Sequence, residues 1–397
     1  MRRTAIVLAA IAGVASAGAC WLLPERYAVN APLANLLFGA STGVPSDAVF
    51  AERVRAAAGF RVELYAADLP GARSLRATAA GDLLVALSRR GEIVLLEPDA
   101  DGDGRSDARR VIQAGLEKPH GVELHDGWLY VGETDAVGRV PFDAQARATR
   151  GRYERIVRDL PTGGHWTRTA RIGPDGGLYV SIGSSCNVCL EDDPRRAAIV
   201  RYAADGSGEE IFATGLRNAV GFDWQPATGE LFATDNGRDL LGDDFPPCEL
   251  NRVVRGGFYG WPFANGANIP DPDHGAGHQA RVAQAIPPVH EFRAHNAPLG
   301  IRFVRGARVP PDYRGAALVA LHGSWNRTRK DGYAVVSLHW RPDGTIEERE
   351  FLTGFLTGEQ VIGRPVDVEE APDGAFYVSD DYAGAVYRVT AEPIAAE

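Results

Sequence analysis

The sequence contains no block of basic residues, no phosphate-binding glycine fingerprint and too few cysteines and histidines at metal spacing to build a zinc centre. Its 42 Lys and Arg are outnumbered by 52 Asp and Glu, for a net charge of -10. A nucleic-acid partner needs a cationic stripe, often with interleaved aromatics, so that class is excluded. Walker and dinucleotide glycine motifs are missing, which disfavours ATP and nicotinamide chemistry, and neither an HExxH helix nor a GxSxG elbow occurs. Cys186-Asn-Val-Cys189 stands alone, whereas a tetrahedral zinc site takes four ligands.

The first residues are Met-Arg-Arg followed by an apolar, alanine-rich run from Ala5 to Leu23. That is the form of a secretory signal or an uncleaved membrane anchor over 1–23, so the mature protein is expected to be periplasmic or exported, and tethered to the inner membrane if the segment is retained. Ala17-Gly18-Ala19-Cys20 loosely resembles a lipidation box, although apolar residues continue beyond the cysteine. Residues 24–57 read as a linker with a short amphipathic segment, and 58–391 as the globular domain. In an exported protein the remaining cysteines, Cys186, Cys189 and Cys248, favour a local Cys186–Cys189 disulfide over a redox motif, because no βαβ pattern surrounds the CxxC.

One phrase recurs along the chain: a glycine-bearing turn followed by three apolar, β-prone residues. It reads GDLLV at 81–85, DGWLYV at 126–131, PDGGLYV at 174–180, TGELFA at 228–233, RGAALV at 314–319 and PDGAFYV at 372–378. Asp-Gly and Thr-Gly suit tight hairpins, and Leu-Tyr-Val suits a pleated, half-buried surface. Successive copies lie roughly 45 to 60 residues apart, with one gap of about 85, which is the period of propeller blades with an insertion. The fold class expected is therefore all-β, a six-bladed β-propeller behind the N-terminal segment. A pair of β-sandwiches is the competing arrangement, but it would leave long strand edges exposed.

Two groups of residues could carry chemistry. Asp99, Asp101, Asp103 and Asp107, with Gly104 at the sharp turn, have the spacing of a calcium loop, yet Arg110 stands where a bidentate glutamate would close it. The run is either a structural calcium site in a blade connector or a solvated acidic turn. His165 lies in GGHWTRTARIGPDGGLYV just before a strand, where its ring could enter a central cavity and take a proton from an alcohol. Arg217-Asn218, His322-Gly-Ser-Trp-Asn-Arg327 and Gly363-Arg364 occupy similar places in later repeats. In a propeller such loops converge on the axis, so guanidinium groups there suit a planar, multiply anionic ligand.

These residues, with ATGLRNAVGFDWQP, ATDNGRDLLGDD, CELN, GGFYGWP, LHGSWNR and GRPVDVEEAPDGAFYV, resemble the soluble pyrroloquinoline quinone (PQQ) sugar dehydrogenases across about residues 58 to 390. That family includes soluble glucose, aldose sugar and L-sorbosone dehydrogenases, and its members are six-bladed propellers. The resemblance implies PQQ and calcium as cofactors, a sugar as substrate and a respiratory electron acceptor, cytochrome or quinone, as partner. It assigns the base to His165 and cofactor contacts to Arg217, Asn218 and Arg364, with Arg327 as the basic residue of the fifth blade. The backbone carbonyls of Gly237 and Arg238 would hold the calcium that polarises the quinone.

Three departures bear on the substrate. The family's second arginine falls on Val366, an aromatic of the glucose enzyme is replaced within residues 290–298, and Cys248 precedes Glu249 where an acidic residue is common. They point away from glucose and toward a sorbosone-type sugar. Two other functions fit the same scaffold, a calcium-dependent lactonase-like hydrolase and a non-catalytic sugar-binding propeller. The hydrolase expects several acidic side chains on the axis, where this sequence offers His165, Arg217, Arg327 and Arg364.

Overall fold

The repeated phrase turns out to be the second strand of each blade together with the turn that leads into it. A computed structural model of the chain describes residues 27–32 and 42–392; the expected leader at 1–23, with Cys20, lies outside the described residues. Six sheets of four or five strands, antiparallel apart from one added strand in the third, form the blades of a propeller. Their innermost strands are Ala72–Ala77, Val122–His125, Ala170–Ile172, Ala219–Trp224, Pro298–Phe303 and Pro365–Glu370. Each runs into a second strand that carries a copy of the phrase: Leu83–Leu87, Trp128–Glu133, Leu178–Ile182, Leu231–Asp235, Ala317–Leu321 and Phe376–Asp380.

The turns explain the spacing of the repeat. Asp126 and Gly127 both have positive φ, 47° and 76°, the conformation of a two-residue type I′ hairpin, and the flanking His125 and Trp128 are paired across it. Alternate side chains of each blade then meet those of the next. Tyr130 and Val137 of the second blade pack on Ala170, Leu178 and Val180 of the third, and Leu75 and Val85 of the first pack on Tyr377 and Val386 of the sixth. The ring is closed by strand pairing with an early piece of chain: Phe60–Ala66 is the outermost strand of the sixth blade, antiparallel to Ala385–Ala391. Phe60 is thereby set against Phe351 and Phe376 in the largest cluster, and burial of one such ring contributes about 1.5–3 kcal/mol.

Part of the expected linker is structured. Helix Asp47–Arg53 is capped by the Ser46 hydroxyl, stacks Phe50 on Tyr387 with centroids 5.5 Å apart, and leads into Arg55–Ala56, which adds a strand to the fifth blade. Among the described residues no helix is long and apolar enough to cross a membrane.

The long gap in the repeat is an insertion in the fourth blade, between Cys248–Val253 and His290–Phe292. Its first strand, Gly257–Phe258, pairs in parallel with Glu210–Thr214 of the third blade. A small hairpin, Ala264–Asn265 with Ile269–Pro270, and helix Gln279–Gln284 follow. The insertion therefore ties two blades together beside the loop that follows Asp235.

Candidate active site at the entry face of the inner strands

The tight turns occupy one end of the innermost strands, and at the other end the chain enters each blade through loops of polar residues. His120, Asn218 and Arg364 lie one or two positions before the strands that begin at Val122, Ala219 and Pro365, so the register of the blades brings them to one face.

His165 sits in a loop gripped by two buried arginines. Arg168 donates to the carbonyls of His165 and Thr167 at 3.0 and 2.7 Å, and Arg196 donates to those of Gly163 and Gly183 at 2.9 and 3.2 Å. The ring Nδ1 lies 3.0 Å from the Ser184 carbonyl, which can only accept, so Nδ1 carries the proton and Nε2 keeps its lone pair. Burial, then the charge of Arg217, pushes the pKa down to about 4. The imidazole is consequently neutral at physiological pH, with its basic nitrogen uncommitted.

Gly183 separates His165 from Asn218. A methyl group there would meet Asn218 Oδ1 at 2.5 Å and His165 Cβ at 2.7 Å. Gly183→Ala should therefore displace the base from its partner loop and reduce kcat by about 10²-fold, measured by steady-state turnover, with a smaller loss in melting temperature.

Arg217 connects the third and fourth blades. Its guanidinium donates to the Asn187 carbonyl at 2.9 Å, to the carbonyls of Asn236 and Gly237 at 3.2 and 2.9 Å, and to Asn187 Oδ1 and Asp239 Oδ2 at 2.9 and 3.0 Å. Asn187 lies inside the Cys186–Cys189 disulfide, which is formed, so the CxxC acts as a staple for a loop that orients an arginine. Burial alone would raise the Asp239 carboxyl, but the His295 hydrogen bond and the charges of Arg217 and His295 hold it below the usual range. Arg238 points away from the axis: its buried guanidinium is taken by Asp271 and Asp273 of the insertion at 2.7 and 2.8 Å. Its contribution at the site is thus limited to its backbone.

On the far side, Arg364 donates to the carbonyls of His322 and Gly323 at 3.0 and 3.1 Å and lies over the Tyr333 ring. Four residues that the sequence did not single out link it back to His165. His322 Nε2 lies 2.8 Å from Asp381, Asp381 is 2.9 Å from Arg73, and Arg73 reaches His120 Nδ1 at 3.3 Å. Trp166 then closes the circuit, with His120 edge-on at 5.9 Å and Arg73 over its ring at 5.4 Å. Burial, then the Arg364 charge, lowers His322 to about 4. Asp381 is held well below the carboxylate range, its burial outweighed by His322 and Arg73.

Arg327 is placed differently. Its guanidinium engages the carbonyls of Asp243 and Ala294 and the Asp244 carboxylate, so it braces the 243–244 loop. Its neighbour Asn326 accepts from Leu240 N–H at 2.7 Å. Val366 packs with Val220 and Leu299 in a small apolar cluster where three inner strands meet. That departure from the family pattern gives an apolar floor in place of a cation.

Two carboxyl groups lie beneath Asn218. Asp235 accepts its N–H at 2.6 Å and faces Glu249 across the strands. Burial, and for Glu249 the facing Asp235 charge, push both above the usual carboxylate range. Cys248, the remaining thiol among the described residues, is buried and raised to about 11, which makes it a packing residue.

The Asp99 loop is remote from this face, on the outer edge of the first blade between Glu92–Leu96 and Arg109–Gln113. Asp99, Asp101 and Asp107 offer oxygens within 4.8 Å of one another. Asp103 turns instead to the N–H of Arg105 at 2.8 Å, and Arg388 stands 3.3 Å from Asp99.

The TrAA12-like family model matches residues 54–246 and 266–392, leaving out part of the insertion. A protein of Borreliella burgdorferi described as uncharacterized is 32% identical over 299 residues, 71% of this chain and 78% of its own length. A PQQ-dependent pyranose dehydrogenase of Coprinopsis cinerea is 24% identical over 85% of this chain and 54% of its own length, so the chain spans about half of that enzyme. Among solved structures, the PQQ domain of that pyranose dehydrogenase, in its holo form, superposes with a TM-score of 0.73 at 22% identity, covering 85% of this chain and 97% of the domain. The calcium structure of a Trichoderma reesei enzyme of carbohydrate-active family AA12 gives 0.75 at 21% identity over 86% and 97%. A PQQ-bound aldose sugar dehydrogenase of Streptomyces coelicolor gives 0.61 at 20% identity over 85% and 100%. With the family model covering most of the propeller, the chain belongs to the TrAA12-like family.

Proposed function

We propose that the protein is an exported PQQ-dependent dehydrogenase that oxidises an aldose or sorbosone-type sugar and passes the electrons to a respiratory acceptor, a cytochrome or a quinone. The observation that carries the reading is the pairing of a neutral His165, its Nε2 uncommitted, with three arginines from three other blades, Arg73, Arg217 and Arg364, and with the His322 imidazole of a fourth. The donor chemistry fits PQQ. Forked guanidinium groups match carboxylates in bidentate fashion, and Val220, Leu299 and Val366 offer an apolar surface to a flat ring. It also fits calcium, since the Gly237 carbonyl has a second lone pair beyond the one Arg217 uses and the ionised Asp239 is a hard oxygen donor nearby.

When bound, PQQ supplies a two-electron sink and calcium the Lewis acidity that favours its reduction. The chain's own residues do the rest. His165 Nε2 takes the proton of the sugar hydroxyl, and the Ser184 carbonyl holds the ring in the tautomer that allows it. Arg73 and Arg364 anchor the cofactor's carboxylates, and Asp381 keeps Arg73 and His322 in fixed orientation. The hydrolase reading is weaker, because the entry face gathers arginines and histidines and Asp381 is committed to Arg73 and His322.

Adding PQQ and calcium to the purified protein should produce a quinone absorption band that changes when an aldose or sorbosone is added, together with dye reduction. No spectral change, with hydrolysis of a sugar lactone in the absence of quinone, would overturn the proposal.

A further inference from the structure

The innermost strands carry a second pattern at their turn end, opposite the face of His165. Arg76, Glu123, Arg171, Asp223, Arg302 and Glu369 hold one equivalent position in the six blades, each paired across the sheet with the middle residue of the repeated apolar triplet, as Arg171 is with Tyr179. In blade order their charges alternate, and all six line one cavity of about 940 Å³. None of the catalytic steps above uses it. We propose that this cavity is a binding site for a small organic acid, whose carboxylate is held by the Arg171 guanidinium. Such binding stands whether or not the opposite face oxidises a sugar.

An evenly closed alternating ring would give each guanidinium a carboxylate on both sides. Two of the three have them. Arg76 reaches Glu123 at 2.5 Å and Glu369 at 3.6 Å, and Arg302 reaches Asp223 at 3.8 Å and also pairs with Glu369. Arg171, placed between Glu123 and Asp223, has neither. Among the described residues its guanidinium makes no hydrogen bond or ion pair, although the residue is only 4% exposed. The flanking carboxylates are drawn elsewhere: Glu123 accepts from Leu124 N–H at 2.8 Å and turns to Arg76, while Asp223 accepts from Phe303 N–H and from both terminal nitrogens of Arg305, each at 2.8 Å. What remains accessible of Arg171 opens on the cavity and on the narrow bore above it.

The charges agree with the geometry. Arg305 joins the ring from outside, so Arg76, Arg171, Arg302 and Arg305 face Glu123, Asp223 and Glu369, and at the rim Arg308 offsets Glu370. One positive charge is in excess. Its effect is felt by the neighbours: burial and then the Arg171 charge push Arg302 well below its ordinary value, and Asp223 is held at about 2, its burial outweighed by Arg302, Arg305 and Arg171. A guanidinium does not shed its proton, and a buried cation without a partner is costly. An anion at Arg171 removes that cost.

Chemistry decides the class of ligand. The fork of one guanidinium matches the two coplanar oxygens of a carboxylate. A second negative charge, as on phosphate, would meet Glu123 and Asp223 on either side with no further free cation to balance it. Leu124, Ile172 and Trp224 give the cavity apolar wall for an organic body, and its volume lies within the range of small-molecule sites, roughly 300–1,000 Å³. The ligand enters from the turn side, because the bore between Ser74, Thr169, Gly221 and Asp367 that leads toward His120 encloses about 10 Å³, room for a water molecule at most.

The test titrates the full chain calorimetrically, without added cofactor and at fixed ionic strength, with benzoate and with inorganic phosphate. Benzoate should bind saturably and more tightly than phosphate. Arg171→Gln should weaken it at least about tenfold, the loss of a charged bidentate pair, whereas Arg364→Gln, on the opposite face, should leave it unchanged. Arg305→Gln gives a second reading from a partly exposed position: it releases Asp223 to turn to Arg171, so benzoate should again weaken by about tenfold although Arg171 is intact. Absence of saturable benzoate binding, or an affinity that neither Arg171→Gln nor Arg305→Gln moves, would overturn the site. Binding that Arg364→Gln removes would place the anion on the entry face and overturn it equally, and phosphate bound more tightly than benzoate would overturn the ligand class.

Discussion

His165→Ala should lower kcat for sugar oxidation by about 10²–10⁴-fold, the range for loss of a positioned general base, while PQQ still binds with little change in affinity. The separation of effects follows from the geometry. Arg73, Arg217, His322 and Arg364 are held by contacts that do not pass through the imidazole side chain, so the cofactor's grip survives when the base is gone. Stopped-flow reduction of bound quinone by substrate, alongside a PQQ titration, measures the two separately. A variant that keeps more than a tenth of wild-type turnover would show that the proton leaves by another route.

The same residue has a pH signature. Because its pKa is pushed down to about 4, the acid limb of kcat/KM should fall near pH 4 and not near the ordinary histidine value of about 6.5. The sign for stability is the reverse of that for a histidine whose pKa a salt bridge raises. Between about 6.5 and 4 the unfolded chain takes up a proton that the folded protein refuses, so stability is full above 6.5 and declines as pH falls toward 4. His322, also lowered to about 4, adds to this decline. His165→Ala should accordingly lose less of its melting temperature between pH 7 and pH 4.5 than the wild type does.

What the sequence made legible was whatever repeats. Six turn-and-strand phrases carried the propeller because each is a local signal, a positive-φ turn before a β-prone triplet, and the insertion announced itself as one overlong interval. His165, Arg217, Asn218 and Arg364 were nominated for the same reason: each stands in a loop that leads into an inner strand. The residues that escaped notice are the ones that act through tertiary pairing. Arg73 and Asp381 come from opposite ends of the chain and meet only because Phe60–Ala66 closes the sixth blade. His120 stands at the strand-entry position of the second blade, so the blade register was a usable signal for it. Arg327 shows where such a run stops being legible: His322 pairs with Asp381 while Arg327, five residues on, turns to the 243–244 loop. A loop without regular periodicity gives no rule for which side chain faces inward.

Arg217→Leu should be the most damaging single substitution in the site, abolishing quinone and calcium binding together and destabilising the fold by about 3–5 kcal/mol, the cost of breaking a buried pair from one side. The guanidinium satisfies the Asn187, Asn236 and Gly237 carbonyls, Asn187 Oδ1 and Asp239 at once, and its side chain is only 6% exposed. Leucine matches its apolar stem but takes a charged donor from each of those acceptors, leaving Asn187 only the Trp261 indole N–H and the Asp239 N–H, and Asp239, now facing only His295, would take up a proton more readily. Arg217→Lys should recover little, because one ammonium cannot span acceptors on two blades that a planar fork reaches together. A functional role beyond structure predicts more than lost stability: the His165 pKa is lowered in part by Arg217, so the acid limb of residual activity should move up from about 4 toward the ordinary histidine range. Equal loss of stability in both variants with an unmoved acid limb would reduce Arg217 to a brace between blades. Recovery of cofactor binding by lysine would show that one positive charge, and not the fork, is what this position supplies.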